Sequence, residues 1–199
     1  MNRMDYNKHL RQLFLTPSVG MVVLAQPMDD SGGHPETFVD YECVFAAEML
    51  RKTVPRKVLD VGSYRHFVIG LAAYYDVTSV DIRPRRVKAP GETLLICDAK
   101  DIQARSSSFD AIVSLCSLEH FGLGRYGDWF DLDADAKAFS EMVRVLRPGG
   151  VLIFSTTITA GAPCLCFNAH RIYDHAAILS FCSGLELVDE RVHCKGGCE

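Results

Sequence analysis

The chain has 199 residues, of which 48% are hydrophobic, and a formal net charge of −4. This length suits one α/β domain with a substantial core, and the composition excludes a disordered chain. The acidic balance disfavours nucleic acid as the main partner. Arg83, Arg85, Arg86 and Lys88 form one short basic cluster, which we expect to be a solvated loop.

No apolar run reaches the roughly 20 residues that a membrane-spanning helix needs, and the first residues lack a signal-peptide core. We therefore expect a cytoplasmic protein with no membrane span, in which disulfides are not favoured. The chain has eight cysteines. Cys164 and Cys166, with Cys194 and Cys198, could supply four thiolates to zinc, but neither pair has the common C-x2-C spacing, so no metal site is predicted.

Along the chain, residues 1–36 are interpreted as an N-terminal extension or lid, and residues 37–199 as one domain. Apolar residues recur at helical spacing from residue 37 to about residue 53. Further helices are predicted at residues 66–75, 133–146 and 175–182, and strands at residues 57–61, 77–81, 93–97, 109–115, 151–157 and 185–192. Because the strand runs are nearly continuously apolar, they predict a doubly wound, mostly parallel sheet covered on both faces.

The stretch from Val58 to Asp81 has the layout of a βαβ unit that binds a nucleoside. Its first strand ends in Asp60-x-Gly62, and its second ends in Asp81, 21 residues after Asp60. Glycine permits a sharp turn close to a ligand, and this spacing resembles that of an acid that binds ribose hydroxyls. A pyrophosphate site needs G-x-G-x-x-G, and Tyr64 stands where the second glycine belongs. A nucleoside without a pyrophosphate is therefore predicted.

Five stretches in order resemble the class I S-adenosylmethionine-dependent methyltransferases: residues 58–63, 80–81, 97–99, 109–113 and 146–152. The resemblance implies a Rossmann-like methyltransferase fold with S-adenosyl-L-methionine as cofactor. The cofactor-binding residues implied are Asp60, Gly62, Ser63, Asp81, Ile82, Asp98, Ala99 and Cys116. Asp60 is expected mainly to support the loop by accepting backbone amides. Tyr64 departs from the family, which usually carries a further glycine near that position.

Residues 120–128 and 167–173 more narrowly resemble a subfamily of methyltransferase-like proteins of unknown function. Members occur in bacteria and nematodes, and some bacterial ones lie near surface-polysaccharide genes. The resemblance points to a sugar as one candidate substrate and establishes no reaction.

Polar residues follow the fourth and fifth strands, at the edge where doubly wound folds bind ligands. His120 could contact the cofactor or act as general base, since histidine titrates near neutral pH, and His170 is the second candidate base. The candidate substrate-binding residues are Arg125, Tyr126, Asp128, Asn168 and Arg171. Structural alternatives stay open: His120 could be bonded within the wall, and Arg125 could pair with Asp128 to order its loop.

The sequence thus predicts an S-adenosylmethionine-dependent methyltransferase that acts on an oxygen of a small molecule or carbohydrate. One alternative is a non-catalytic methyltransferase-like module that binds cofactor or a partner, which Tyr64 and the undefined base favour. A nicotinamide-dependent oxidoreductase is disfavoured by the missing glycines. A homodimer stays open, because only one strand is predicted after strand five, where the family normally ends in an antiparallel pair.

Overall fold

A computed structural model describes residues 37–194, together with Asn7, Lys8 and Arg11. The chain divides into two compact units, Met1–Thr37 and Phe38–Glu199. The extension at residues 1–36 lies almost wholly outside the described residues, so its action as a lid stays a prediction.

The second unit alternates helices and strands. Its helices are α1 (Phe38–Thr53), α2 (Arg65–Leu71), α3 (Ala134–Val145) and α4 (His175–Phe181), with a 3-10 turn at Leu118–His120. Its strands are β1 (Lys57–Val61), β2 (Asp76–Asp81), β3 (Glu92–Ile96), β4 (Phe109–Leu115), β5 (Leu146–Ser155), β6 (Cys164–Cys166) and β7 (His170–Ile172). The predicted bounds of β1 and β4 are confirmed to the residue.

Five of the strands form one parallel sheet in the order β3-β2-β1-β4-β5. The predicted doubly wound sheet is therefore confirmed. Because the chain starts at β1 and later returns to place β4 on its other side, the carboxyl ends of these two strands open a crevice, which is where such folds bind ligands.

Alternation along the strands explains how both faces of the sheet are buried. Val58 packs with Leu50 of α1 on one face, and its neighbour Leu59 packs with Met142 of α3 on the other. All four side chains are nearly inaccessible to solvent. Successive residues of a strand point to opposite faces, so a continuously apolar strand needs helices on both sides.

The predicted last strand at residues 185–192 is wrong, because residues 186–194 form no helix or strand. Leu187 and Val188 are exposed in this segment, while Arg191 bonds Glu48 of α1 at 2.9 Å. Ion pairs with a helix thus replace sheet pairing. The antiparallel hairpin of β6 and β7 was not predicted, since strands of three residues are too short to show alternation.

Cys194 is disulfide-bonded, although the sequence did not favour disulfides. The other six described cysteines are free. Among the residues that the structure describes, no group of three or more His, Cys, Asp or Glu side chains could hold a metal ion. None of the helices in the described part of the chain has the length and apolar character needed to cross a membrane.

Candidate functional site

Two adjoining cavities lie at the carboxyl ends of β1, β2 and β4. The larger has a volume of about 700 Å³ and is bordered by α1, the turn after β1 and the loop after β2. The smaller has a volume of about 100 Å³ and is bordered by the segments that follow β1, β2, β3 and β4. Gly62, Asp81, Arg83 and Cys116 line both cavities, so we treat the two as parts of one cleft.

The turn after β1 is fixed by buried contacts. Asp60 is fully buried and accepts the Ser63 amide at 3.2 Å, while its Oδ2 has no partner among the described residues. Burial raises the pKa of Asp60 to about 6. Gly62 has φ +76°, a conformation that favours glycine, and a Cβ there would lie 3.1 Å from the Cβ of Ser117, which would have to shift slightly. Ser63 accepts the Leu115 amide at 3.0 Å, which ties the turn to β4.

Asp81 ends β2, and two arginines of the following loop already hold its carboxylate. Arg83 donates its amide, Nε and Nη2, each at 2.9 Å, and Arg85 donates Nη2 at 2.6 Å. Burial acts to raise the pKa of Asp81, but these bonds outweigh it and lower the pKa. The expectation that the basic cluster is a solvated loop holds for the exposed Arg83, Arg86 and Lys88 and is wrong for Arg85, whose side chain is only 17% exposed.

Glu92 anchors the other end of the same loop. It is buried, accepts the Ser79 hydroxyl and the Ala89 amide, both at 2.8 Å, and forms a two-pronged ion pair with Arg65 at the start of α2. Burial alone would raise the pKa of Glu92, but the bonds from Arg65, Ala89 and Ser79 lower it to about 2. The loop is thus tethered at both ends, with its arginines on the wall of the larger cavity.

Asp98 and Ala99 follow β3 and line the smaller cavity together with Ile82. Asp98 accepts the Lys100 amide at 2.9 Å, as a turn residue does. Its carboxylate therefore stabilises the turn and also borders the cavity, so the two interpretations of this residue are compatible.

His120 ends the 3-10 turn and lines the smaller cavity. Its Nδ1 lies 2.6 Å from the carbonyl oxygen of Ala169, which can only accept, so Nδ1 carries the proton and Nε2 keeps a lone pair. Burial lowers the pKa of His120, which favours the neutral ring. His170 lies beside it, with ring centroids 6.1 Å apart, and is not among the residues that line the two cavities.

The glycine-rich loop after His120 brings Tyr126 and Asp128 to the smaller cavity. Asp128 accepts the amides of Gly124 at 3.2 Å and Tyr126 at 3.1 Å, so it orders the loop through the backbone and not through Arg125. The guanidinium of Arg83 lies 4.6 Å from the centroid of the Tyr126 ring, a cation–π contact that joins this loop to the loop after β2.

The hairpin of β6 and β7 carries the two remaining candidate substrate residues. Asn168 has φ +55° at its exposed turn and lines neither cavity. Arg171 is buried and donates to the carbonyls of Phe121 at 2.6 Å and Leu132 at 3.0 Å, and its Nε lies 3.2 Å from Asp135. These bonds occupy the guanidinium, so the structure gives Arg171 a structural role in place of the predicted substrate contact.

Sequence reasoning missed Glu42, which lines the larger cavity from α1 and accepts the Ser155 hydroxyl. The available signal was its position four and seven residues before the buried Ala46 and Met49, on the core-facing side of the helix. Glu119 is also buried nearby; burial raises its pKa to about 7, and the charge of Glu42 adds to the effect.

Many solved structures resemble this chain, including the two that follow. The structure of the [4+2]-cyclase SpnF has a TM-score of 0.55 at 19% identity, covering 70% of this chain and 54% of that chain. The 1,6-didemethyltoxoflavin-N1-methyltransferase of Burkholderia thailandensis, with bound 1,6-didemethyltoxoflavin and S-adenosylhomocysteine, has a TM-score of 0.54 at 17% identity, covering 92% of this chain and 78% of that chain. The chain spans about half the length of SpnF. The likeness confirms the Rossmann-like methyltransferase fold.

No curated protein matches the sequence. A family model described as "Caenorhabditis protein of unknown function, DUF268" matches residues 90–193, just over half of the 199 residues. The matched range contains His120, the glycine-rich loop and the hairpin, and it confirms the resemblance to a subfamily of unknown function. The chain therefore belongs to the DUF268 family.

Proposed function

We propose that the chain is an S-adenosylmethionine-dependent methyltransferase acting on an oxygen of a small molecule or sugar. The observation that carries this proposal is that one cleft collects the Gly62 turn, Asp81 and Asp98 at the carboxyl ends of three adjacent parallel strands. The fold alone is not sufficient, since SpnF has a similar fold and is a cyclase.

The residues present fit an adenosine-based cofactor. The turn at Gly62 carries no side chain and has φ +76°, so its backbone is open to close approach by a ligand. Asp81 offers two carboxylate oxygens to ribose hydroxyls once the side chains of Arg83 and Arg85 are displaced, and the segments around Ile82 and Asp98 offer a place for adenine. Tyr64 is 51% exposed on the wall of the larger cavity, so it leaves the cleft open.

Orientation is the protein's main contribution in this proposal. The bound cofactor supplies a methyl group on a positively charged sulfur. The cleft holds the acceptor oxygen in line with that methyl group, and such positioning can contribute roughly 7–11 kcal/mol. His120 can take the acceptor's proton at Nε2, because its Nδ1 is bonded to Ala169 and its lowered pKa keeps the ring neutral near pH 7. Tyr126, Asp128 and the exposed Arg125 border the acceptor in this arrangement.

Glu42 is an alternative proton acceptor, because it lines the larger cavity, where an acceptor has room. His120→Ala and Glu42→Gln separate the two: the true base lowers turnover by roughly 10²- to 10⁴-fold while cofactor affinity is kept. His170→Ala serves as the neighbouring control and tests its candidacy as a base. If none of the three changes slows turnover, the assignment of the base is wrong.

A non-catalytic module is the second candidate, favoured by the finding that Asp81 is already paired with Arg83 and Arg85. A module that binds only a partner would keep this pairing intact, whereas one that binds the cofactor would bind a nucleoside without transferring a methyl group.

Thermal unfolding with S-adenosylmethionine, S-adenosylhomocysteine or NAD separates the candidates. A ligand at 100 times its dissociation constant stabilises the fold by about 2.7 kcal/mol, which raises the melting temperature measurably. We expect shifts with the first two ligands and none with NAD. A shift with NAD alone would contradict the proposal, and no shift with any ligand would favour the non-catalytic module. Transfer of a labelled methyl group to a panel of hydroxylated sugars then tests the reaction itself.

A further inference from the structure

We infer that Arg83 and Arg85 bind a carboxylate or phosphate group of the acceptor, and that they are released to do so when a ribose takes Asp81. The inference rests on the proposed function, because it needs a ribose at Asp81. It defines the acceptor more narrowly, as an anionic molecule.

Both oxygens of Asp81 are already used by the two arginines. Oδ1 accepts from the amide and Nε of Arg83, and Oδ2 accepts from the Nη2 atoms of Arg83 and Arg85. Two ribose hydroxyls would need the same oxygens, so their binding must displace side-chain donors. The side chain of Arg83 is 52% exposed and can move into solvent, whereas that of Arg85 is only 17% exposed.

When a ribose displaces Arg85 from Asp81, the guanidinium loses its carboxylate partner while it stays partly shielded from solvent. Its Nη1 is already buried without a hydrogen-bond partner among the described residues. A largely desolvated guanidinium that loses its carboxylate is unfavourable, and an anion restores the pairing. Arginine suits this role, because its planar fork matches the geometry of carboxylates and phosphates.

The neighbouring charges leave these arginines available. Arg65 also lines the larger cavity, but its guanidinium is taken by the buried Glu92, so it does not compete for a ligand. Arg86 lies on the same wall and is exposed. The wall therefore presents Arg83, Arg85 and Arg86 to any anion that enters the larger cavity.

The position of Arg83 favours the acceptor over the methionine end of the cofactor as the source of the anion. Arg83 lines both cavities and packs against Tyr126 of the glycine-rich loop, which carries the proposed acceptor contacts. Arg83 therefore lies at the boundary between the two cavities, close to the residues that are proposed to contact the acceptor.

The variant Asp81→Asn tests the arginines without any cofactor, because the amide cannot hold two guanidinium groups as a carboxylate does. We expect calorimetry with inorganic phosphate and with D-glucuronate to show binding at least about tenfold tighter in Asp81→Asn than in the parent protein. Adding Arg85→Gln should remove the gain. Adding Lys88→Gln, an exposed cation of the same loop, should keep it. No gain in Asp81→Asn, or a gain that Arg85→Gln leaves intact, would overturn the inference.

A second titration in the parent protein distinguishes the source of the anion. Saturating S-adenosylhomocysteine should tighten phosphate and glucuronate binding, because its ribose takes Asp81 and leaves the arginines to the anion. Coupling between two sites is reciprocal, so the anions should equally tighten the binding of S-adenosylhomocysteine. If phosphate instead competes with S-adenosylhomocysteine but not with methylthioadenosine, which lacks the carboxylate, the arginines hold the cofactor and the inference is wrong. If S-adenosylhomocysteine does not bind at all, the proposed function fails, while the Asp81→Asn titration still decides whether the arginines form an anion site.

Discussion

Two arginine-centred regions at one edge of the sheet differ in the partners of their guanidinium groups. On the hairpin, Arg171 is buried and bonded to backbone carbonyls of the loop before α3 and to Asp135. On the loop after β2, Arg83 and Arg85 are bonded to the side chain of Asp81. A ligand cannot replace a backbone partner without unfolding the loop, but it can replace the donors of a carboxylate. The partner, and not the residue type, separates the structural Arg171 from the arginines that we propose bind a ligand.

The largest expected effect is on the hairpin side. Arg171→Met removes the donors of two carbonyls and leaves Asp135 buried without its cation, so we expect the free energy of unfolding to fall by about 3–5 kcal/mol. Urea unfolding measures it. The double variant Arg171→Met with Asp135→Asn should recover part of the loss. A loss below about 1 kcal/mol would show that the buried pairing is not structural.

On the other side, Asp81→Ala should chiefly affect binding. Hydrogen bonds to a charged acceptor contribute about 1.5–3 kcal/mol each, so the affinity for S-adenosylhomocysteine should fall at least about a hundredfold. Isothermal calorimetry measures this change. Asp76→Ala, at the opposite end of β2, is the matched control and should bind normally. Unchanged affinity in Asp81→Ala would refute its role.

The buried Glu119 should make the free energy of unfolding depend on pH. Burial raises its pKa from 4.5 to about 7, so the stability of the protonated form is fully present below about pH 4.5 and is lost as the pH rises through about 7. Relative to Glu119→Gln, the parent protein should lose roughly 2–3 kcal/mol of unfolding free energy between about pH 5 and about pH 8. Urea unfolding at several pH values measures this difference. Parallel pH profiles would contradict the buried state of Glu119.

The smallest effect is expected at a third arginine, which belongs to neither region. Arg147 pairs with Asp110 at 2.7 Å, but its side chain is 53% exposed, and such surface pairs contribute about 1 kcal/mol or less. Arg147→Ala should therefore change neither the unfolding free energy by more than that nor ligand affinity. A loss of unfolding free energy comparable to that of Arg171→Met would show that burial does not decide how much an arginine ion pair contributes to stability.

Much of the sheet could be predicted from the local sequence pattern, because β1 and β4 are apolar runs that helices cover on both faces. The hairpin of β6 and β7 could not be predicted, since its strands have only three residues each. The segment at residues 185–192 shows the converse error. Its apolar residues suggested a strand, but none of the described strands pairs with it, and ion pairs with α1 hold it instead.

The site divides in the same way. Gly62 and Asp81 could be placed from sequence because the ends of parallel strands meet at one edge of the sheet. The role of Arg171 could not, since its carbonyl partner at Phe121 lies 50 residues earlier in the chain. Nor could the pairing of Arg83 and Arg85 with Asp81, because the path of a loop decides whether a nearby arginine is solvated or bonded.

The central claim is that Asp81 exchanges its arginines for a ribose. A crystal structure with S-adenosylhomocysteine tests it most directly. We expect both ribose hydroxyls within about 3 Å of the Asp81 carboxylate, with the side chains of Arg83 and Arg85 moved away from it. A nucleoside bound elsewhere, with the ion pairs of Asp81 to Arg83 and Arg85 intact, would contradict the claim.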